Sequence, residues 1–374
     1  MPIGLITKTD YQLLILLQSK PTISYSDIAR IFNISSATAK RKIVELRNKG
    51  LYSGKYAQFY PTALGLNKFI VVSFVKSIKQ ILMLEKALRE HPYTIHRSRI
   101  YSPKLGIYSE FNFPMENTSF LEEFFDNLKN EKVIDSFTIF ESTHIEKTLP
   151  LNLNKVSLDT LSWEYDWNTL KESLDKTEKA VIPVPPRNML KSMKELDFKI
   201  LSILTVNADY SQREISRMLK RDRTEVWRRF KFLEENIISG YRSKINRQKF
   251  NITSNKIIFL RFEDELELWQ YFSLLSDEQL RPPFRYRIEI LKEKNSTKKI
   301  FQIYISLPQN HEAQLFYFIA DNTDFESYNI DTVGAHGVRY SFYEPNFDYN
   351  SWKWKINRKY VVTDTIRNVI SKKI

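Results

Sequence analysis

Basic and hydroxyl side chains gather in two short stretches of this 374-residue chain. Ser36, Thr38, Lys40, Arg41 and Lys42 form one set; Arg223, Thr224, Trp227, Arg228 and Arg229 form the other. Lys and Arg neutralise phosphates, and hydroxyls and guanidinium forks read base edges. Such sets suit recognition of a polyanion rather than bond making. The charge distribution agrees. The formal net charge is +13, and residues 1–60 (nine Lys/Arg against three Asp/Glu) and 191–250 (fifteen against eight) hold all of the excess. Charge confined to two matching windows predicts two polyanion-binding faces.

Other chemistries lack material. With no cysteine, disulfides, thiol nucleophiles, iron–sulfur clusters and thiolate zinc sites are excluded. Only eight glycines occur, and none form the close cluster that a phosphate-cradling loop needs. The five histidines are His91, His96, His144, His311 and His336. No pair has the i, i+4 spacing of a helical metal site, and His91 and His96 are separated around Pro92. His336, flanked by Gly334 and Gly337, is the one histidine in a suggestive setting. A glycine-flanked loop histidine is more often structural. The expectation is therefore no catalytic residue, no metal and no cofactor. The N-terminus has neither a charged segment nor a sustained apolar run, and no stretch of about 18 apolar residues occurs. A cytoplasmic protein with no membrane span is expected.

The elements that position the basic sets come in two copies. Residues 10–54 and 197–241 align without gaps: Asp10 meets Asp197, Ser24 meets Ser211, Ile28 meets Ile215, Arg41 meets Arg228 and Leu46 meets Leu233. Each copy reads as three helices, in copy one from about Asp10 to Gln18, Ser26 to Phe32 and Ser35 to Lys49. On the third, Ala39, Ile43 and Leu46 share a face, as do Val226, Phe230 and Leu233, leaving the basic set opposite. Ser35 is a fitting N-cap, and Asp222 with Glu225 has capping-box spacing. The segments that follow read as turns into basic wings, carrying Lys55 in one copy and Arg242, Lys244, Arg247 and Lys249 in the other. Lys55 and Lys244 join the candidate DNA contacts.

The runs Ile23-Ser24-Tyr25-Ser26-Asp27-Ile28-Ala29-Arg30 and Ser35-Ser36-Ala37-Thr38-Ala39-Lys40-Arg41-Lys42-Ile43, with looser counterparts at 210–215 and 224–230, resemble the helix-turn-helix of the Lrp/AsnC family of prokaryotic regulators. Residues 67–140 and 256–333 each read as strand, helix, two strands, helix, strand, which resembles that family's ferredoxin-like effector and dimerisation domain. The expected fold is α+β: winged helix-turn-helix domains at 1–60 and 191–250, each followed by a ferredoxin-like βαββαβ domain, at 61–145 and 251–343. Residues 146–190 form a Trp-containing connector (Trp163, Trp167) ending in the Pro-rich spacer Ile182-Pro183-Val184-Pro185-Pro186. A basic tail at 344–374 carries Trp352 and Trp354. These aromatics are expected to cover each domain's sheet.

The resemblance implies a non-enzymatic transcription regulator that binds double-stranded DNA as an intrachain pseudo-dimer, with room for a small-molecule effector and for further homo-oligomerisation. Because the two recognition helices differ, the preferred site should be asymmetric. The family's glycine-and-aspartate turn is mostly missing, with only Gly106 in one half and Lys294-Asn295-Ser296-Thr297 in the other, so no effector residue is named. Two alternatives stand beside this reading. One is a DNA-architectural protein without sequence preference. The other is an enzyme, because siroheme decarboxylases resemble two-part versions of the same architecture. Their chemistry needs His and Arg grouped at a tetrapyrrole pocket, and their histidine-rich strand motif is not found around His336.

Overall fold

Three hydroxyl side chains start the first three helices by accepting otherwise unpaired backbone N–H groups. Thr7 accepts from Asp10 N, Ser24 from Asp27 N and Ser35 from Thr38 N, each at 3.1 Å. They open α1 (Lys8–Ser19), α2 (Tyr25–Phe32) and α3 (Ser36–Asn48). Asn33, at φ 51°, makes the left-handed turn between α2 and α3. The computed structural model describes residues 6–157, 159–174, 184, 186–294, 296–320, 324–333, 336–340 and 342–370. The chain continues through β1 (Tyr52–Phe59), β2 (Leu66–Phe74), α4 (Ile78–Glu90), β3 (Thr94–Ser102), β4 (Gly106–Pro114), α5 (Ser119–Asn130), β5 (Ser136–Leu149) and the short α6 (Trp167–Glu172). The second copy follows as α7 (Glu195–Val206), α8 (Gln212–Leu219), α9 (Arg223–Asn236), β6 (Ile238–Ile245), β7 (Ser254–Phe262), α10 (Glu265–Ser276), β8 (Arg285–Glu293), β9 (Lys299–Leu307), α11 (Glu312–Ile319), β10 (Phe325–Asp331) and β11 (Gly337–Arg339). Asp222 caps α9 through Thr224 N and Glu225 N, whereas the reciprocal capping box forms one helix earlier, between Ser211 and Glu214.

The strands depart from the expectation of two separate sheets. Their order is β10-β7-β9-β8-β5-β2-β4-β3, and β3 also pairs with β10, so eight antiparallel strands close into one barrel. The two seams between halves are β5–β8 and β3–β10. Closure removes the edge strands that each half would otherwise expose. β5 makes this possible by running to Leu149 with a register break after Ser142, so that it serves both β2 and β8. Residues 146–149 are therefore strand and not the start of a connector.

The wings are also corrected. β1 and β6 pair with each other, Tyr56 opposite Arg242 and Lys55 opposite Ser243, in a single two-stranded ribbon. Neither projects from its own module as an independent basic wing.

The cores cross over. The first helix-turn-helix module shares its core with the second half of the barrel: Leu14, Ile28 and Leu46 lie in one cluster with Phe250, Tyr286 and Phe301. The second module (Phe198, Leu204, Leu233) shares its core with the first half (Leu84, Phe111, Phe125). The tryptophan segments cross in the same way. Trp163 donates to Phe250 O at 2.8 Å in the second half, and Trp354 donates to Leu64 O at 2.8 Å in the first. Each covers the half that does not precede it. Of the Pro-rich spacer, Ile182, Pro183 and Pro185 lie outside the described residues, as do residues 371–374 of the tail. No helix among the described residues is long and apolar enough to cross a membrane.

Candidate anion site at the barrel mouth

The barrel strands are buried on both faces, so alternate residues meet either the helices or the lumen. On β8, Tyr286, Ile288 and Ile290 join the helix-facing core, which turns Arg285, Arg287, Glu289 and Leu291 inward. On β9, Phe301, Ile303, Ile305 and Leu307 face the helices, and Ile300, Gln302, Tyr304 and Ser306 face inward. One end of the lumen is apolar, filled by Ile70, Val72, Ile100, Phe140, Ile257 and Phe259. Above it lies a buried ionic layer. Lys68 donates to Glu146 and to Glu289 at 2.7 Å each, and Arg287 donates to Glu110 at 2.7 and 3.1 Å and to the Tyr108 hydroxyl at 2.9 Å. Burial opposes ionisation of Glu110, but Arg287 and Lys68 outweigh it and hold its carboxyl well below the usual range. Burial raises Glu289. Each cation of this layer is thus paired with a carboxylate.

The layer at the mouth, under the β1–β6 ribbon, is not balanced. It holds Arg242, Arg247, Arg285 and Arg339, and none of them forms an ion pair among the described residues. Arg242 donates to Gln58 Oε1 at 2.6 Å and to Thr148 O at 3.2 Å, fastening the ribbon to the end of β5. Arg247 donates to Ser306 Oγ, which donates to Asn255 Oδ1 at 2.7 Å. Arg339 donates to the Tyr56 hydroxyl at 3.2 Å and lies over its ring at 4.7 Å, and Lys244 Nζ stands 5.5 Å from the same ring. Burial and then Arg285 press Arg247 down to about 10. Tyr56 responds in the opposite sense to an ordinary buried phenol. Burial would raise it, but Arg339, Arg285, Arg242 and Lys244 together lower it. Arg339 is exposed, but Arg242, Arg247 and Arg285 are half-buried. Unneutralised guanidinium groups withdrawn from water are costly unless an anion meets them, which makes the mouth a candidate anion-binding site. His96 lies at its inner edge, opposite Arg339 in strand register and 3.0 Å from Ser98 Oγ. Burial lowers it to about 4, so its imidazole is neutral.

The sequence-selected residues lie elsewhere, apart from Lys244. Ser36, Lys40 and Arg41 are exposed on α3, and Arg223, Thr224, Trp227 and Arg228 on α9. Trp227 is 51% exposed. Thr38 is tied into the helix cap by Ser35 Oγ at 2.9 Å, and Lys42 is half-buried. Arg229 is withdrawn from the polar face: its Nε donates at 2.6 Å to Asp197, a carboxylate with no exposure, and its Nη2 donates to Ser192 O at 3.2 Å. Lys55 is half-buried in the ribbon. Lys244 is exposed, and its Nζ donates to Val206 O at 2.9 Å and stands near the Tyr56 ring. His336 is held at 2.6 Å by Asp331. His311, buried in the second half, accepts from Trp167 Nε1 at 3.2 Å, which leaves its Nε2 to donate to Trp163 O at 3.1 Å. No group of three or more metal-ligating side chains occurs among the described residues. The mouth was missed in the sequence, but one signal for it existed. Arg285-x-Arg287-x-Glu289 repeats with period two inside a strand that is otherwise apolar.

A family model described as winged helix-turn-helix DNA-binding matches residues 6–51 and 193–236, so that module occurs twice. No curated protein matches the chain. Among solved structures, the siroheme decarboxylase NirDL is similar with a TM-score of 0.54 and 11% identity, over 97% of this chain and 98% of that one. The chain shares that enzyme's fold. The same decarboxylase in complex with an iron-uroporphyrin III analogue is similar over 90% of this chain and 94% of that one, again at a TM-score of 0.54 and 11% identity. AsnC from E. coli aligns with 37% of this chain at a TM-score of 0.30 and 14% identity. The expectation of a non-enzymatic chain is corrected by the near-complete match. The full arrangement of two helix-turn-helix modules on one barrel is that of a solved enzyme, so possession of those modules is no argument against catalysis.

Proposed function

We propose that the chain binds a small polycarboxylate at the barrel mouth and is a siroheme-decarboxylase-like enzyme. The observation that carries this reading is the set of four arginines without a carboxylate partner among the described residues, around a buried tyrosine whose phenol three of them, with Lys244, acidify. Guanidinium forks match carboxylates two bonds at a time, and a tetrapyrrole rimmed with carboxylates presents several at once. The solved decarboxylase of the same fold binds an iron-uroporphyrin analogue, which supports that substrate class. In such a reaction the bond between a side-chain methylene and its carboxyl carbon breaks and carbon dioxide leaves. The electron pair left on carbon then takes up a proton. Arg242, Arg247, Arg285 and Arg339 would hold carboxylates, and Tyr56 would return the proton, with solvent re-protonating it. The bound iron belongs to the substrate.

Each four-stranded half, with its two helices, reads as a ferredoxin-like unit, and the pair as an intrachain pseudo-dimer. A second reading, DNA binding through α3 and α9, is favoured by the exposed Lys40, Arg41, Arg223 and Arg228, and it uses residues other than the mouth. Incubating the protein with siroheme under anaerobic reducing conditions tests the main reading. Binding visible in the absorbance spectrum, with release of carbon dioxide and conversion of acetate to methyl side chains by mass, is expected. Siroheme that neither binds nor loses carbon dioxide overturns it.

A further inference from the structure

The first half of the barrel contains a second feature, which shares Arg339 with the anion site. A cleft of about 590 Å³ opens between the start of β3, the ribbon and the C-terminal tail. Its volume is in the range of small-molecule sites. Three side chains in its lining, each more than nine-tenths buried, have polar atoms with no hydrogen-bond partner among the described residues: His91 Nε2, Thr94 Oγ1 and Asn112 Oδ1. Buried polar groups are nearly always paired, so three orphans converging on one cleft require an explanation. Their chemistry is specific. Tyr93 N donates to His91 Nδ1 at 3.3 Å, so the free Nε2 of the neutral ring carries the hydrogen and offers a donor. Asn112 Oδ1 offers an acceptor, and the Thr94 hydroxyl offers either.

The walls are aromatic. Trp354 stands edge-on to Tyr93 at 6.3 Å and to Phe342 at 6.0 Å, and its indole N–H is already used by Leu64 O. At the rim, Arg89 is paired with Glu90 and Asp364 with Arg367, whereas among the described residues Arg339 meets the Tyr56 hydroxyl and ring and no carboxylate. The second half does not repeat this arrangement. There the imidazole beneath the corresponding tryptophan is satisfied at both nitrogens, and Trp167 and Phe284 stack face to face beside it.

We propose that this cleft binds a planar heteroaromatic ring whose edge carries both a hydrogen-bond acceptor and a donor, with an anionic arm reaching Arg339, which is the chemistry of a purine nucleoside monophosphate. The acceptor meets His91 Nε2–H, the donor meets Asn112 Oδ1, and the ring lies against the aromatic walls. The proposal does not rest on the decarboxylase reading, and inactivity toward siroheme leaves it standing.

The test is titration of the full-length protein with AMP and with GMP, followed by calorimetry and by tryptophan fluorescence, with ribose 5-phosphate as the control lacking a base. Saturable binding of at least one purine nucleotide, and not of ribose 5-phosphate, is expected. Thr94→Val and Asn112→Ala should each weaken that binding about tenfold, the worth of one hydrogen bond. Neither should lower Tm, because each removes an unsatisfied buried group. Absence of saturable binding by both nucleotides overturns the proposal. So does equal binding of ribose 5-phosphate, or a fall in Tm in both variants with binding unchanged, which would assign these groups a purely structural role.

Discussion

The two halves of this molecule carry the same hook and different contents. In each, a tryptophan from a distant segment donates its indole N–H to the last carbonyl of a short 3₁₀ turn, Trp163 to Phe250 and Trp354 to Leu64, both at 2.8 Å. Beneath Trp163 the space is filled by Trp167, Phe284 and a fully satisfied His311. Beside Trp354 it stays open as a cleft lined by three unpartnered polar atoms. The barrel mouth is divided in the opposite sense. At the first residue of the 3₁₀ turn and the first residue of the following hairpin strand, the second half has Arg247 and Arg285, and the first half has Pro61 and Thr94. Backbone hydrogen bonds and core packing set the shared frame. Which half receives charge and which receives space is set by a few inward-facing residues that the frame tolerates.

This contrast can be broken by substitution. Trp163 packs against Phe284 and is anchored to Phe250 O, so Trp163→Ala should cost about 4–5 kcal/mol, near the upper end for a buried tryptophan. Trp354 borders a cleft into which its neighbours can relax, so Trp354→Ala should cost about 3 kcal/mol. Denaturant midpoints measure both, and equal losses would mean that the two pockets are packed alike.

The deep ionic layer gives a second contrast. Lys68 and Asn255 occupy corresponding inward positions on β2 and β7, opposite Asn112 and Ser306 respectively. Lys68→Met leaves the fully buried Glu289 without its lysine and should destabilise by about 3–5 kcal/mol. Asn255→Met removes one neutral hydrogen bond and should change stability by about 1 kcal/mol. Comparable losses would place the charge balance of the lumen elsewhere.

The smallest effect per step is in the pH dependence, and it belongs to the first half. Burial lowers His91 to about 3 and His96 to about 4 from an unfolded value of 6.5. Protonation therefore favours the unfolded chain. Their contribution is complete above pH 6.5 and is lost as pH falls toward 4, by roughly 1.4 kcal/mol per pH unit for each histidine. His91→Phe should remove about half of that slope in thermal melts at pH 6.5 to 4.5. An unchanged slope would mean that His91 is not buried as a neutral ring.

Much of the frame was legible in the sequence because it rests on local rules. Ser35 and Asp222 cap helices where their types and positions require it, Ala39, Ile43 and Leu46 bury one face of α3, and β9 spans Lys299–Leu307 as its alternation indicates. Long-range pairing was not legible. Nothing local in Tyr52–Phe59 shows that it will pair with Ile238–Ile245, and the alternation in β9 marks a covered face without showing that the other face lines a closed lumen. The site was hidden for the same reason. Arg285 and Arg339 lie far in sequence from Arg242 and Arg247 and meet them only when the barrel closes under the ribbon. Arg229 was misplaced because its helical position faces solvent by period alone, while the buried Asp197 on α7 draws it inward.

The central claim is that an anionic ligand is held by the barrel mouth and not by the exposed helices. It is tested most directly by titrating iron uroporphyrin III, followed by absorbance, into two double variants. Arg247→Ala with Arg285→Ala should weaken binding by about 100-fold, the loss of two charge-assisted hydrogen bonds. Arg41→Ala with Arg228→Ala should leave it unchanged. Wild-type affinity in the mouth variant, with binding lost in the helix variant, would contradict the account.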